Sequence, residues 1–159
     1  GVCDGLTVFF ALKAYQSKNV DFKGYLYDSF DKMKDEYLDT KDKDQSGNYD
    51  YLKIEQTKKN LRMFENDIIF FKGYIPDVFR NGEHPNEISW LHIDLNSSKT
   101  TFETMEFFYS KIINNGVMIF DDYGMFETTK EVVDDFLKDK IGHFISYPTG
   151  QGMFIKKKN

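Results

Sequence analysis

The sequence predicts an α/β fold: a mostly parallel sheet with helices on both faces and a C-terminal antiparallel strand pair. Three observations carry this. Short apolar runs rich in β-formers alternate along the chain with stretches of helical spacing. Three of the runs end in acids, at Asp28, Asp94 and Asp121-Asp122, and ligands of such sheets gather at the carboxyl ends of the strands. The last two runs, 144–147 and 153–155, are joined only by Pro148-Thr149-Gly150-Gln151-Gly152, a connection that makes them antiparallel.

Taken in order, Leu6, Phe9, Phe10 and Leu12 after Gly5 keep apolar residues on a helical face behind a tight turn. Tyr25-Leu26-Tyr27 reads as a strand tipped by Asp28. Residues 31–50 are highly charged and hold a Ser46-Gly47 turn, so a polar loop precedes a second helix over 51–64. The run 68–71 is too short for an ordinary helix and predicts a buried strand, with Pro76 in the following turn. Residues 88–94 form the next strand and 100–113 a helix with Phe102, Met105, Phe108 and Tyr109 inward. Residues 117–120 predict a fourth strand and 131–137 a last helix.

A length of 159 residues predicts one domain, 1–159, burying roughly 70% of the surface its unfolded chain exposes. With 40% hydrophobic and 30% charged residues the chain is an ordinary globular one, and its 17% aromatic content is the unusual feature. A net charge of −5, with Lys156-Lys157-Lys158 the one basic run, argues against nucleic acid as a partner. No apolar run has membrane-spanning length, no signal peptide is evident, and the lone Cys3 has no internal disulfide partner, so a cytoplasmic address is expected. The chain starts at Gly1 rather than Met, which predicts a processed or truncated N-terminus.

The opening Gly1-Val2-Cys3-Asp4-Gly5 is a glycine pair at a strand-to-helix turn, where absent side chains let a ligand approach backbone amides. Asp28, about twenty residues on and at a strand end, stands where nucleotide folds place a ribose-binding acid; capping a turn is the alternative. Asp94, Asp121 and Asp122 on neighbouring strand ends would repel one another unless a cation or proton intervened, which argues for a hard divalent ion such as Mg²⁺. Helix capping by each acid is the competing reading. His92 shares a strand face with Asp94 and could border the metal, but a hydrogen-bonded structural histidine is the preferred reading. The stretch from Asp42 to Asp50 imitates the first part of a calcium loop, but Lys53 stands where the bidentate Glu belongs, so a solvated, mobile loop that could form part of a lid is expected instead. Phe107, Phe108 and Tyr109, like Phe70-Phe71, are expected in the core.

Together these segments resemble the TylF/macrocin O-methyltransferases over essentially the whole chain. Tyr27-Asp28-Ser29-Phe30 resembles the family's D-S-F segment, Lys72-Gly73-Tyr74 its K-G element and Leu91-His92-Ile93-Asp94 its L-x-x-D strand end, while Phe120-Asp121-Asp122-Tyr123-Gly124 matches D-D-Y-G. The resemblance implies a Rossmann-like methyltransferase sheet, bound S-adenosylmethionine and Mg²⁺-assisted methylation of a small-molecule hydroxyl, commonly on a sugar. It implies that Gly1, Gly5, Asp28 and Ser29 contact the cofactor and that Asp94, Asp121 and Asp122 hold the metal.

Two departures stand out. Where the family often has D-x-D, with the second acid as general base, this chain has Asp94-Leu95-Asn96, and an amide can ligate or orient but not take the proton. Asp122 or a hydroxide on the ion would take it instead. The second departure is the start: in this fold a central strand precedes the glycine turn, so the resemblance implies a missing first strand, with edge re-pairing or homo-oligomerisation in compensation and weakened cofactor binding. A non-catalytic, methyltransferase-like binding domain is therefore the rival function. A nicotinamide oxidoreductase is a third and weaker one, since the G-x-G-x-x-G fingerprint is absent.

Overall fold

The computed structural model describes residues 1–158. They form two compact units, one made of Gly1–Met33 and Gly47–Asn81, the other of Lys34–Ser46 and the chain from Gly82 onward.

In the first unit, helix α1 (Leu6–Ser17) starts at Gly5, whose φ of 87° is the left-handed conformation that glycine adopts freely. Space is the second constraint there, because a Cβ on Gly5 would lie 3.0 Å from the Leu61 side chain. Strand β1 (Gly24–Asp28) pairs in parallel with β2 (Ile68–Lys72). Between them α2 covers only Ile54–Asn60, followed by a 3₁₀ turn at Arg62–Phe64, shorter than the 51–64 helix expected. No side chain caps its start at Lys53, and residues 49–51 are turn, so the first expected turn never forms. Val2, Leu12, Leu26, Phe30, Ile54, Leu61, Phe64 and Ile68 make the buried core, with Phe9, Phe22 and Phe70 packed on it. Tyr27 stacks on Phe71 at 4.6 Å between ring centres.

In the second unit β3 (Ile88–Ile93) runs parallel to β4 (Ile112–Phe120), and β4 is antiparallel to β6 (Gly152–Lys156), which pairs antiparallel with β5 (Gly142–Ser146). The order is therefore β3-β4-β6-β5. The antiparallel hairpin is as expected. Helix α3 (Ser98–Phe108) and helix α4 (Glu127–Leu137) pack against each other.

Two sequence expectations are corrected here. Residues 112 and 113 belong to β4 and not to the preceding helix: the ladder pairs Ile88 with Ile112 and then Trp90 with Val117, so residues 113–116 bulge out of the strand, with Asn115 at φ 65°. Phe102 is 41% exposed, because α3 buries Thr101, Thr104, Met105 and Phe108 and position 102 falls about 100° round the helix from Thr101. Phe102 instead meets Phe136 of α4 edge-on at 6.1 Å.

Candidate functional site

Parallel pairing aligns the carboxyl ends of β3 and β4, and each strand continues directly into acids, Asp94 after Ile93 and Asp121-Asp122 after Phe120. The Asp121 N–H donates to the Ile93 carbonyl at 2.9 Å, which ties the two tips together. As a result Asp94, Asp121 and Asp122 each offer an oxygen, and those atoms all lie within 4.8 Å of one another. This is the one such cluster among the described residues.

The three acids are held differently. Asp122 is buried, and its Oδ2 accepts the Asn96 N–H at 2.8 Å and the Leu95 N–H at 3.3 Å. Asn96 provides that amide because it sits at φ 49°, a left-handed conformation asparagine tolerates, and its Nδ2 also donates to Asp122 Oδ1 at 3.4 Å. Burial raises the Asp122 pKa from 3.8 to about 6, with the charges of Asp94 and Asp121 adding to the rise and the two loop amides opposing it. Asp121 is more exposed, and its Oδ1 meets His92 Nε2 at 3.4 Å and Gln151 Nε2 at 3.2 Å. His92 lies flat against Trp90, with rings 5.6 Å apart and 2° from parallel, and burial lowers its pKa despite Asp94 and Asp121 nearby. Neither α3, capped at Ser97, nor α4, capped at Phe126, shows a side-chain hydrogen bond from its own cap residue. The Asp122 carboxylate bonds to the loop after β3, not to the helix that follows it.

In the first unit, Asp28 closes β1 and its carboxylate gathers backbone amides: Oδ2 accepts from Val2 at 2.7 Å and Cys3 at 3.0 Å, Oδ1 from Phe30 at 2.7 Å. The glycine turn from Gly1 to Gly5 is thus fastened to the strand end, helped by the Gly5 N–H on the Val2 carbonyl at 2.9 Å. Ser29 is turned to its own loop, its hydroxyl donating to the Asp31 carbonyl at 3.0 Å.

Asp42 behaves unlike any calcium-loop residue. It is buried, one oxygen accepting the Ser98 N–H at 2.7 Å and the Ser98 hydroxyl at 2.6 Å, the other the Thr128 hydroxyl at 2.8 Å. The stretch from 42 to 50 is mostly exposed, as expected, with Asp42 its buried exception: residues 34–46 hold two 3₁₀ helices, Asp35–Tyr37 and Thr40–Gln45, and Asp42 fastens the second to the starts of α3 and α4. No local signal could have shown this, because the partners lie 56 and 86 residues away. Gln151 was within the Pro148–Gly152 segment already singled out, but its bond to Asp121 depends on β6 lying beside β4.

Against known families, residues 1–149 match macrocin-O-methyltransferase (TylF). No curated protein matches the chain. Among solved structures, the O-methyltransferase NovP superposes with a TM-score of 0.88 at 20% identity, covering 99% of this chain and 70% of that one. The calicheamicin methyltransferase CalS11 gives 0.69 at 13% identity, over 98% of this chain and 69% of its own. An rRNA methylase from Streptococcus thermophilus gives 0.58 at 12% identity, over 99% and 84%. At these identities the structures establish the Rossmann-like α/β fold, with its parallel strands and C-terminal antiparallel pair. Together with the family match over nearly the whole chain, this makes the protein a methyltransferase belonging to the macrocin-O-methyltransferase (TylF) family.

Proposed function

We propose that the chain is an S-adenosylmethionine-dependent O-methyltransferase that methylates a hydroxyl of a small molecule, a sugar or glycosylated metabolite, with a divalent cation such as Mg²⁺ held by Asp94, Asp121 and Asp122. The observation that carries the reading is the convergence of those three carboxylates within 4.8 Å. All-oxygen donors of full negative charge suit a hard cation; burial is the main cause that raises the Asp122 pKa, and the charges of Asp94 and Asp121 add to the rise. The name of the O-methyltransferase NovP supports transfer to oxygen, and that of the calicheamicin methyltransferase CalS11 supports a small-molecule acceptor.

S-adenosylmethionine would supply the methyl group: a bond from the acceptor oxygen to the sulfonium methyl carbon would replace the carbon–sulfur bond, S-adenosylhomocysteine would leave, and the hydroxyl proton would need a base. When bound, the ion supplies Lewis acidity that lowers the hydroxyl pKa and holds the oxygen in place. The protein's own part is orientation and proton acceptance. The Leu95 and Asn96 amides fix Asp122, and Asn96, lacking a proton-accepting oxyanion, serves to orient. Asp122, held in place by the Leu95 and Asn96 amides, or a hydroxide on the ion, would take the proton. For the cofactor, the Gly1–Gly5 turn presents glycine backbone at the start of α1, and Asp28, which takes the Val2 and Cys3 amides, both braces that turn and retains acceptor capacity for a ribose hydroxyl.

The test is calorimetric titration with S-adenosylhomocysteine and with Mg²⁺. Binding of both is expected, with nucleoside binding lost in Asp28→Ala and ion binding lost in Asp94→Ala. Absence of heat from either ligand with the parent protein would remove the corresponding half of the reading.

A further inference from the structure

We infer that Gln151 is a positioning residue for the metal centre, fixing which oxygen of Asp121 is presented to the ion. The inference rests on the metal reading above. Asp122 is held by two backbone amides, whereas the Asp121 side chain is 38% exposed and, among the described residues, its carboxylate bonds are to side chains. What orients it is a pair of side-chain nitrogens converging on one oxygen, Gln151 Nε2 at 3.2 Å and His92 Nε2 at 3.4 Å, both on Oδ1. With Oδ1 occupied by these two, Oδ2 is the atom left for a cation.

Gln151 can do this because its own amide is pinned. The Thr149 hydroxyl donates to Gln151 Oε1, which keeps the NH₂ end toward Asp121. The turn that carries both residues is closed by Gly150 N–H on the Tyr147 carbonyl at 3.0 Å and Tyr147 N–H on the Gln151 carbonyl at 2.9 Å. It is also tied to the segment after β4, where the Gly124 N–H donates to the Gly150 carbonyl at 2.6 Å. A Cβ on Gly124 would stand 3.0 Å from both the Cα and the carbonyl oxygen of Gly150, so that approach requires glycine. Thr149, Gln151 and Asp121 therefore form a relay from a hydrogen-bonded hairpin turn to the carboxylate proposed as a ligand, and such outer partners set how well a carboxylate is oriented for its ion.

The experiment is titration with Mn²⁺ alone, followed by electron paramagnetic resonance of free and bound ion, in the parent protein, Gln151→Met and Thr149→Val. Circular dichroism and Trp90 fluorescence report folding of each. Gln151→Met, which keeps length and volume but removes the donor, is expected to bind Mn²⁺ about 10–100-fold more weakly, with a changed line shape for the bound ion and unaltered folding. Thr149→Val, which frees the amide without removing it, is expected to show a smaller loss in the same direction. Parent-like affinity in a folded Gln151→Met overturns the inference while leaving the metal reading intact. If Gln151→Met does not fold, parent-like affinity and line shape in Thr149→Val overturn it. Absence of Mn²⁺ binding by the parent overturns the metal reading, and the inference with it.

Discussion

Replacing Asp122 by Asn is expected to stabilise the metal-free protein at neutral pH, although it removes a carboxylate that accepts hydrogen bonds. The folded-state pKa of Asp122 is raised from 3.8 to about 6, so between these values the folded protein binds more protons than the unfolded chain. Stability must then fall as pH rises through that window, and the loss is complete above it. A shift of about two units corresponds to about 3 kcal/mol, at 1.36 kcal/mol per unit, which is the upper bound on what ionised Asp122 costs the empty site. Asparagine keeps one oxygen for the Leu95 and Asn96 amides and drops the charge that burial, Asp94 and Asp121 all oppose. The assay is urea unfolding with chelator, read by the fluorescence of Trp90, the one tryptophan, which lies in the same unit and stacks on His92. The variant should exceed the parent by up to about 3 kcal/mol at pH 7.5, and the difference should vanish below pH 4. Mg²⁺ at a thousandfold excess over Kd should reverse the order, since the parent then gains about 4.1 kcal/mol and the variant little. A variant less stable than the parent at pH 7.5 without metal, or a difference that does not change with pH, would refute the reasoning.

Other expectations follow from the same contacts. Asp28→Asn keeps one amide acceptor but leaves the Val2, Cys3 and Phe30 N–H groups competing for it, so S-adenosylhomocysteine binding should fall at least tenfold by calorimetry. Asp42→Ala removes three hydrogen bonds from a buried carboxylate and should cost about 2–4 kcal/mol, with trypsin cleavage at Lys41 and Lys43 appearing before global unfolding. Gly124→Ala forces a methyl group against the Gly150 backbone and should cost about 1–3 kcal/mol in urea unfolding, while weakening Mn²⁺ binding through the displaced hairpin turn.

The elements legible in the sequence were those whose signal is local. The runs read at 25–27, 68–71 and 88–94 lie in the strands Gly24–Asp28, Ile68–Lys72 and Ile88–Ile93 because their β-formers suit pleated, partly buried positions, and the short connection before Gly152 fixed an antiparallel hairpin. The acids at the strand ends were visible too, since a strand tip followed by Asp is written in consecutive residues. What sequence could not supply was decided by distant partners. Asp42 sits in a charged stretch that looks solvated, and only the fold brings Ser98 and Thr128 to it. The Asn114-Asn115-Gly116 stretch reads as a turn after a helix, yet β3 draws Ile112 into the ladder and leaves the polar residues as a bulge. Gln151 gains its role from β6 pairing with β4, which no spacing within 148–152 encodes.

The central claim is that Asp94, Asp121 and Asp122 share one divalent ion. Diffraction from crystals grown with Mn²⁺, using its anomalous signal, locates such an ion without reference to activity. A single strong peak is expected in contact with all three carboxylates, on the Oδ2 side of Asp121. Three well-ordered carboxylates with no peak among them at saturating Mn²⁺, or a peak bound elsewhere, would contradict it.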